Sequence, residues 1–244
     1  MKIAVVAALV APIGTAAAYG DHELLIDLAT GLARRGHRVR LYAAEGSCVP
    51  GVELVECSSY ARLFRRLRAD GADAVSQHAF DAEAIALSAG LPVLHTLHMP
   101  PIVPAVVRAA AQYGAPFAAL SQFAAAQWRS AGLQRVHTIP NGVPDFTPLG
   151  AVVQPVALIA GRICREKGSA AGVRAALRAG LRVRIHECLP RRELWQLMAQ
   201  CAVCLMPIDG DEPFSLVAAE AQIAGCPMVG YARGALPEIV QQEV

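Results

Sequence analysis

The 244-residue chain lacks any apolar run approaching the ~18 to 20 residues that cross a bilayer, and even the N-terminal IAVVAALVAPIG is broken by Pro12 and Gly14. That segment carries a single lysine, and a polar helix pattern follows where a signal-peptide cleavage site would lie, so it reads as a buried first strand and no integral membrane segment is expected. A net charge of +2 is too small to imply a nucleic-acid surface. The one basic run, RLFRRLRADG, sets Arg62, Arg65, Arg66 and Arg68 around Leu63, Phe64 and Leu67, the pattern of an amphipathic helix with a solvated face. The seven cysteines (Cys48, Cys57, Cys164, Cys188, Cys201, Cys204, Cys226) are odd in number and scattered, which excludes a disulfide framework and points to reduced thiols in the cytoplasm. CAVC has no second pair and reads as core. Neither G-x-G-x-x-G nor G-x-x-x-x-G-K-[ST] occurs, and Glu45 comes too late to read a ribose at the end of the second strand, which disfavours a nicotinamide dehydrogenase. Internal repeats and low-complexity tracts are also missing.

Hydrophobic residues make up 55% of the sequence, ample for packed cores. Short apolar runs alternate with helix-period segments: KIAVVAALV then HELLIDLATGLARRG, HRVRLYAA, VELVEC then SYARLFRRLRADG, DAVSQHA, PVLHTLH and PFAALS, each with a following helix. Strands that are apolar on both faces and separated by helices predict a parallel sheet covered on both sides. Gly36, Gly71, Gly90, Gly114 and Gly132 stand where helices end, as left-handed caps do. The proline-rich stretch PNGVPDFTPLGAVVQP reads as a linker, and beyond it the alternation restarts with VALIAG. The prediction is an α/β chain of two doubly wound, Rossmann-like domains, 1–145 and a shorter 156–244 joined by 146–155. Ligands would enter the cleft between them, at the carboxyl ends of the strands.

Four places carry candidate chemistry. Gly14 and Gly20 in APIGTAAAYGDHE would let the backbone approach an anion at the start of the first helix, although an ordinary strand-to-helix loop explains them as well. In LHTLHMPP, His95 and His98 are three apart and so point to opposite faces of a strand; His98 is the one nearer the carboxyl end, and His95 reads as core. In AGRICREKG, Arg162 and Lys167 follow a buried strand and suit a diphosphate, or are simply surface charges. In GDEPFSLVAAEAQIAG, Glu212 precedes an apolar helix whose beginning, Phe214 to Leu216, offers unpaired amides. Glu220 lies two turns inside it. A carboxylate in an apolar helix needs a partner, and the hydroxyls of a ribose beside a phosphate site can donate two hydrogen bonds at once.

With these residues in hand, the chain resembles the retaining nucleotide-sugar glycosyltransferases of the GT-B fold, specifically the large family four that includes bacterial mannosyl- and glucosyltransferases. The pair Glu212 and Glu220, separated by seven residues in EPFSLVAAE, is similar to the signature of that family. AQIAGCPMVGYARGALPEIV, AGRICREKG, ALSQFAAAQW, IPNGVP and YGDHELLIDLATGLARRGHRVRLYA are similar to further family segments, in the right order along nearly the whole chain. The resemblance implies that Arg162 and Lys167 bind the donor diphosphate, that Glu220 binds the ribose, and that Glu212 contacts sugar hydroxyls. It further implies that His98 touches the transferred sugar, that Phe214, Ser215 and Leu216 supply amides, that Gly14 lies against the β-phosphate, and that Cys188 and Leu189 lie near the base. The donor would be a UDP-sugar or GDP-sugar, the acceptor a hydroxyl, and no cofactor or metal would be needed. Between LRVRIHE and CLPRRELW the family carries a further strand and helix, and beyond PEIVQQEV further helices. A compact or truncated member is therefore expected, able to associate with itself or with a partner subunit. The alternative expectation is a non-catalytic nucleotide-sugar-binding subunit of a larger assembly.

Overall fold

The computed structural model describes residues 1–14, 20–146, 150–187 and 189–240. They form two compact units, Met1–Asn141 and Gly142–Val244. The first holds a seven-stranded parallel sheet in the order β3-β2-β1-β4-β5-β6-β7. Its strands are β1 (Lys2–Val6), β2 (Arg38–Ala44), β3 (Glu53–Cys57), β4 (Ala74–Gln77), β5 (Val93–Leu97), β6 (Phe117–Ala119) and β7 (Val136–Thr138). The helices are α1 (Gly20–Arg34), α2 (Tyr60–Asp70), α3 (Ala82–Leu87), α4 (Pro104–Gln112) and α5 (Gln122–Ser130). Strand periodicity sorts the core into two layers. Val5, Ala7, Leu41 and Ala43 face Leu25 and Ala29 of α1, whereas their chain neighbours Ala4, Val6 and Tyr42 face Leu63, Phe64 and Leu67 of α2. Each of those three α2 side chains is fully buried, worth about 1.5–3 kcal/mol apiece.

Helix α2 shows how directly the local sequence acts. Apolar residues at spacings of three and four bury one stripe, the arginines at 62, 65 and 66 stay outside, and Ser59 caps the first turn by accepting from the Arg62 amide. Gly71, at φ 65°, closes the other end. Gly36, Gly90 and Gly132 also adopt positive φ, as expected of caps, but Gly114 does not. There α4 ends one residue earlier, with the amide of Tyr113 bonded to the carbonyls of Ala109 and Ala110, so the last turn closes without a left-handed residue.

The second unit has a four-stranded parallel sheet, β11-β10-β8-β9, made of β8 (Gln154–Ala160), β9 (Arg182–His186), β10 (Cys201–Met206) and β11 (Met228–Gly230). Its helices are α6 (Ser169–Arg178), α7 (Arg191–Gln200), α8 (Leu216–Ile223) and α9 (Leu236–Ile239). One face of the sheet packs Ala157, Ile159 and Leu205 with Ala176 of α6; the other packs Val156, Leu158 and Cys204 with Trp195 and Met198 of α7 and Ala221 of α8. Part of the stretch read as a linker contributes instead to this core: Val143 joins it, and the Phe146 ring lies 4.9 Å from that of Trp195. The thiols of Cys201, Cys204 and Cys226 are free and buried, as a core reading requires. Burial pushes Cys204 up to about 12 and Cys226 up to about 11.

Strand order locates the crevices. In the first sheet the chain runs outward from β1 to β3, then returns to β4 on the other side of β1. In the second it goes from β8 to β9 and returns to β10 on the other side of β8. At such a reversal the loops leave in opposite directions and open a crevice beyond the carboxyl ends of the strands. The loops after β1 and β4 flank one crevice, and those after β8 and β10 the other.

Candidate functional site

In the first unit the loop after β1 holds Gly14, exposed and at φ 80°. A Cβ there would stand 1.9 Å from the Cys48 carbonyl oxygen, because the Ile13–Gly14 backbone presses against Cys48, whose amide donates to Ile13 at 2.8 Å. This internal approach by itself demands glycine. The loop continues into residues 15–19, outside the described residues. Beyond β5, His98 is half-buried, and its Nε2 is 2.8 Å from Nδ1 of His78, which follows β4. His95 points the other way, stacked on Phe117 at 4.8 Å and edge-on to Tyr113 at 5.0 Å, with Nε2 3.2 Å from the Ser88 hydroxyl. Burial pushes His95 down to about 4, the behaviour of a neutral core histidine.

In the second unit three loops at the carboxyl ends of adjacent strands converge. The loop after β8 carries exposed Arg162 and a single 3-10 turn, Arg165–Lys167, closed by Gly168 at φ 65°. A Cβ on Gly168 would stand 1.9 Å from the Pro207 carbonyl oxygen, so the turn seats directly on the loop after β10. The Asp209 amide donates to the Glu166 carbonyl at 3.0 Å. The loop after β11 joins them: Gly234 brings its Cα against the Glu212 backbone, and the Ala235 amide donates to the Glu212 carbonyl at 2.9 Å. Arg233 donates to Asp209 Oδ1 at 2.7 Å. The result is that Lys167 Nζ donates to the Glu212 carboxylate. Arg162 stays at the rim, 3.8 Å from Glu166.

Helix α8 begins beside this junction. Its first residue is Leu216 and its cap is Ser215, whose buried hydroxyl accepts from the Ala218 amide; Phe214 lies just before the cap. Glu220 is buried, and its Oε1 accepts from Arg191 Nε at 2.7 Å. Arg191 opens α7 and lays its guanidinium 5.4 Å from the centroid of Trp195, one turn on. The carboxylate in the apolar helix therefore already has a cationic partner within its own unit. Leu189 packs on the core just before α7; Cys188 lies outside the described residues.

The sequence matches the model of Glycosyltransferase Family 4 over residues 23–145, just over half of the chain, and that of the glycosyl transferases group 1 over residues 152–244. The chain belongs to the GT-B glycosyltransferases. A search of curated proteins finds no match. Solved structures that resemble this glycosyltransferase include HepE of Anabaena in complex with UDP-glucose, at a TM-score of 0.71 and 18% identity, covering 99% of this chain and 83% of that one. Sucrose-phosphate synthase from Thermosynechococcus elongatus aligns at a TM-score of 0.76 and 17% identity, covering 96% and 82%. The catalytic domain of starch synthase IV from Arabidopsis thaliana, bound to ADP and acarbose, aligns at 0.73 and 12%, covering 99% and 84%.

Sequence reasoning brought Lys167, Glu212 and the start of α8 to one end of one sheet, where the glycosyltransferase has them. Two residues escaped it. Arg191 is 29 positions from Glu220, and His78 is 20 from His98, with no fixed spacing to mark either pair. A signal for His78 existed: it follows β4 as His98 follows the neighbouring strand β5.

Proposed function

We propose that this glycosyltransferase moves a sugar from a nucleoside diphosphate donor to a hydroxyl acceptor with retention at the anomeric carbon and without a metal. The observation that carries the reading is the junction of Lys167, Glu212 and the capped start of α8 at the β8/β10 crevice. In the free protein the Lys167 ammonium is satisfied by Glu212. On donor binding the diphosphate takes over the ammonium, Arg162 adds a planar fork from the rim, and the first amides of α8 face the phosphate charge. Glu212 is thereby released to accept from sugar hydroxyls. Glu220, held by Arg191, accepts from the ribose, and Leu189 borders the base.

In the transfer, the bond from the anomeric carbon to the β-phosphate oxygen breaks and the acceptor oxygen bonds to that carbon on the same face. The acceptor's proton passes to the departing phosphate oxygen. The cations and the helix terminus stabilise the charge that develops on that oxygen, which is why no divalent ion is required. HepE with UDP-glucose and starch synthase IV with ADP support the donor class while differing in the base. The reduced thiols favour the cytoplasm. No helix among the described residues is long and apolar enough to cross a membrane.

A thermal-shift panel of UDP, GDP, ADP and their sugars tests the reading, since a ligand at a hundred times its Kd stabilises by about 2.7 kcal/mol. One base should stand out, Glu220→Ala should weaken that binding, and Glu212→Ala should chiefly lower turnover, with activity retained in EDTA. No stabilisation by any nucleotide would overturn the donor assignment, and binding without transfer or donor hydrolysis would leave a nucleotide-sugar-binding subunit.

A further inference from the structure

We infer that His78 is a positioning residue for His98, fixing its ring and its tautomer through a hydrogen-bonded chain that starts at Ser76. The inference rests on the reading of His98 as a contact of the transferred sugar. Ser76 and His78 are two apart at the end of β4 and so share one side of the sheet, the side on which His98 stands after β5. The His78 ring spans the gap between them: Nε2 lies 2.8 Å from the Ser76 hydroxyl and Nδ1 lies 2.8 Å from His98 Nε2. The two rings are tilted by 33°, which suits an in-plane N–H···N bond better than a stack.

We take the Ser76 hydroxyl as the donor in its bond to His78 Nε2, a role that its O–H can fill. With Ser76 donating, the His78 proton resides on Nδ1 and is donated to His98 Nε2. His98 Nε2 is then an acceptor, so neutral His98 carries its own proton on Nδ1. Burial, and after it the neighbouring His98, holds the His78 pKa well below the ordinary imidazole value, so His78 stays neutral and keeps one ring nitrogen able to accept. His98 accordingly keeps a ring held in one orientation, with its own proton on Nδ1. Nothing else proposed for transfer uses His78, which is itself buried.

Long-range proton–nitrogen correlation spectra of 15N-histidine-labelled protein read the tautomer directly, independent of turnover. The parent should show His98 with a protonated Nδ1 and a bare Nε2. In His78→Leu, which keeps bulk but no polar atom, the two His98 nitrogens should move toward averaged values. Turnover should fall about tenfold at unchanged donor KM, because the ring loses orientation rather than the site losing donor contacts. His78→Asn places its amide near where Nδ1 stands and should restore both the spectrum and most of the turnover. It also serves where the leucine variant folds poorly. A protonated Nε2 on His98 in the parent, or a His98 spectrum and turnover untouched by His78→Leu, would overturn the inference. Full activity of His98→Ala would instead overturn the role of His98 in transfer, a failure that the tautomer measurement does not share.

Discussion

Replacing Arg191 by methionine should destabilise the 142–244 unit far more than removal of a surface ion pair would. The side chains of Arg191 and Glu220 are 14% and 8% exposed, so water screens the pair little. Exposed pairs contribute about 0–1 kcal/mol, whereas deleting one partner of a buried pair costs about 3–5 kcal/mol, because the remaining charge keeps its desolvation and loses its compensation. Methionine preserves most of the aliphatic stem but not the guanidinium over Trp195, which adds about 0.5–1 kcal/mol. A total near 4 kcal/mol is a large part of the stability of a unit this size. Urea unfolding followed by Trp195 fluorescence in a Trp128→Phe background isolates that unit, since the two tryptophans lie in different units. The paired change Arg191→Met with Glu220→Leu removes both charges and should recover to within about 1 kcal/mol of the parent. A loss below about 1 kcal/mol for Arg191→Met alone, or a paired variant no better than the single one, would refute the argument that Glu220 is a buried charge needing Arg191.

Gly168→Ala should cost about 1–3 kcal/mol and weaken nucleotide binding, because its φ of 65° and a Cβ 1.9 Å from the Pro207 carbonyl force the turn bearing Lys167 to move. Gly180→Ala, at φ 72° but with nothing within 4 Å, should cost only about 1 kcal/mol and leave nucleotide titrations unchanged. Mass-spectrometric thiol labelling of the folded protein should modify exposed Cys48 first and spare Cys57, Cys201, Cys204 and Cys226 until denaturant is added. His95 should make the first unit acid-sensitive. Its folded pKa of about 4 lies below the ordinary 6.5, so the unfolded chain binds the extra proton, and stability present above pH 6.5 is lost as pH falls toward 4. The loss attributable to it is roughly 3 kcal/mol, visible as a shallower pH slope of denaturation midpoints in His95→Gln.

Much of the architecture was written in periodicity. Apolar runs flanked by helical patterns announced parallel strands covered on both faces, and the stripe of Leu63, Phe64 and Leu67 with arginines opposite announced α2 almost to the residue. His95 and His98 were separable because a strand alternates its faces. The left-handed cap expected at Gly114 failed for a local reason: glycine permits that conformation without imposing it, and Tyr113 had already closed the turn. Gly14 was legible as a close approach but not as an approach to Cys48, which lies in the turn after β2.

By itself, then, the amino-acid sequence determined the alternating α/β order, the two sheets, the cysteine-lined core and the end of each sheet where chemistry could gather. These depend on side-chain spacing along a few consecutive residues. Tertiary structure alone decided that Lys167 meets Glu212, that Arg191 holds Glu220 and that His78 stands behind His98. Each of those pairs joins loops or helices that leave different strands. Their meeting is set by strand order and by where glycine lets backbones touch, and neither leaves a fixed interval in the chain.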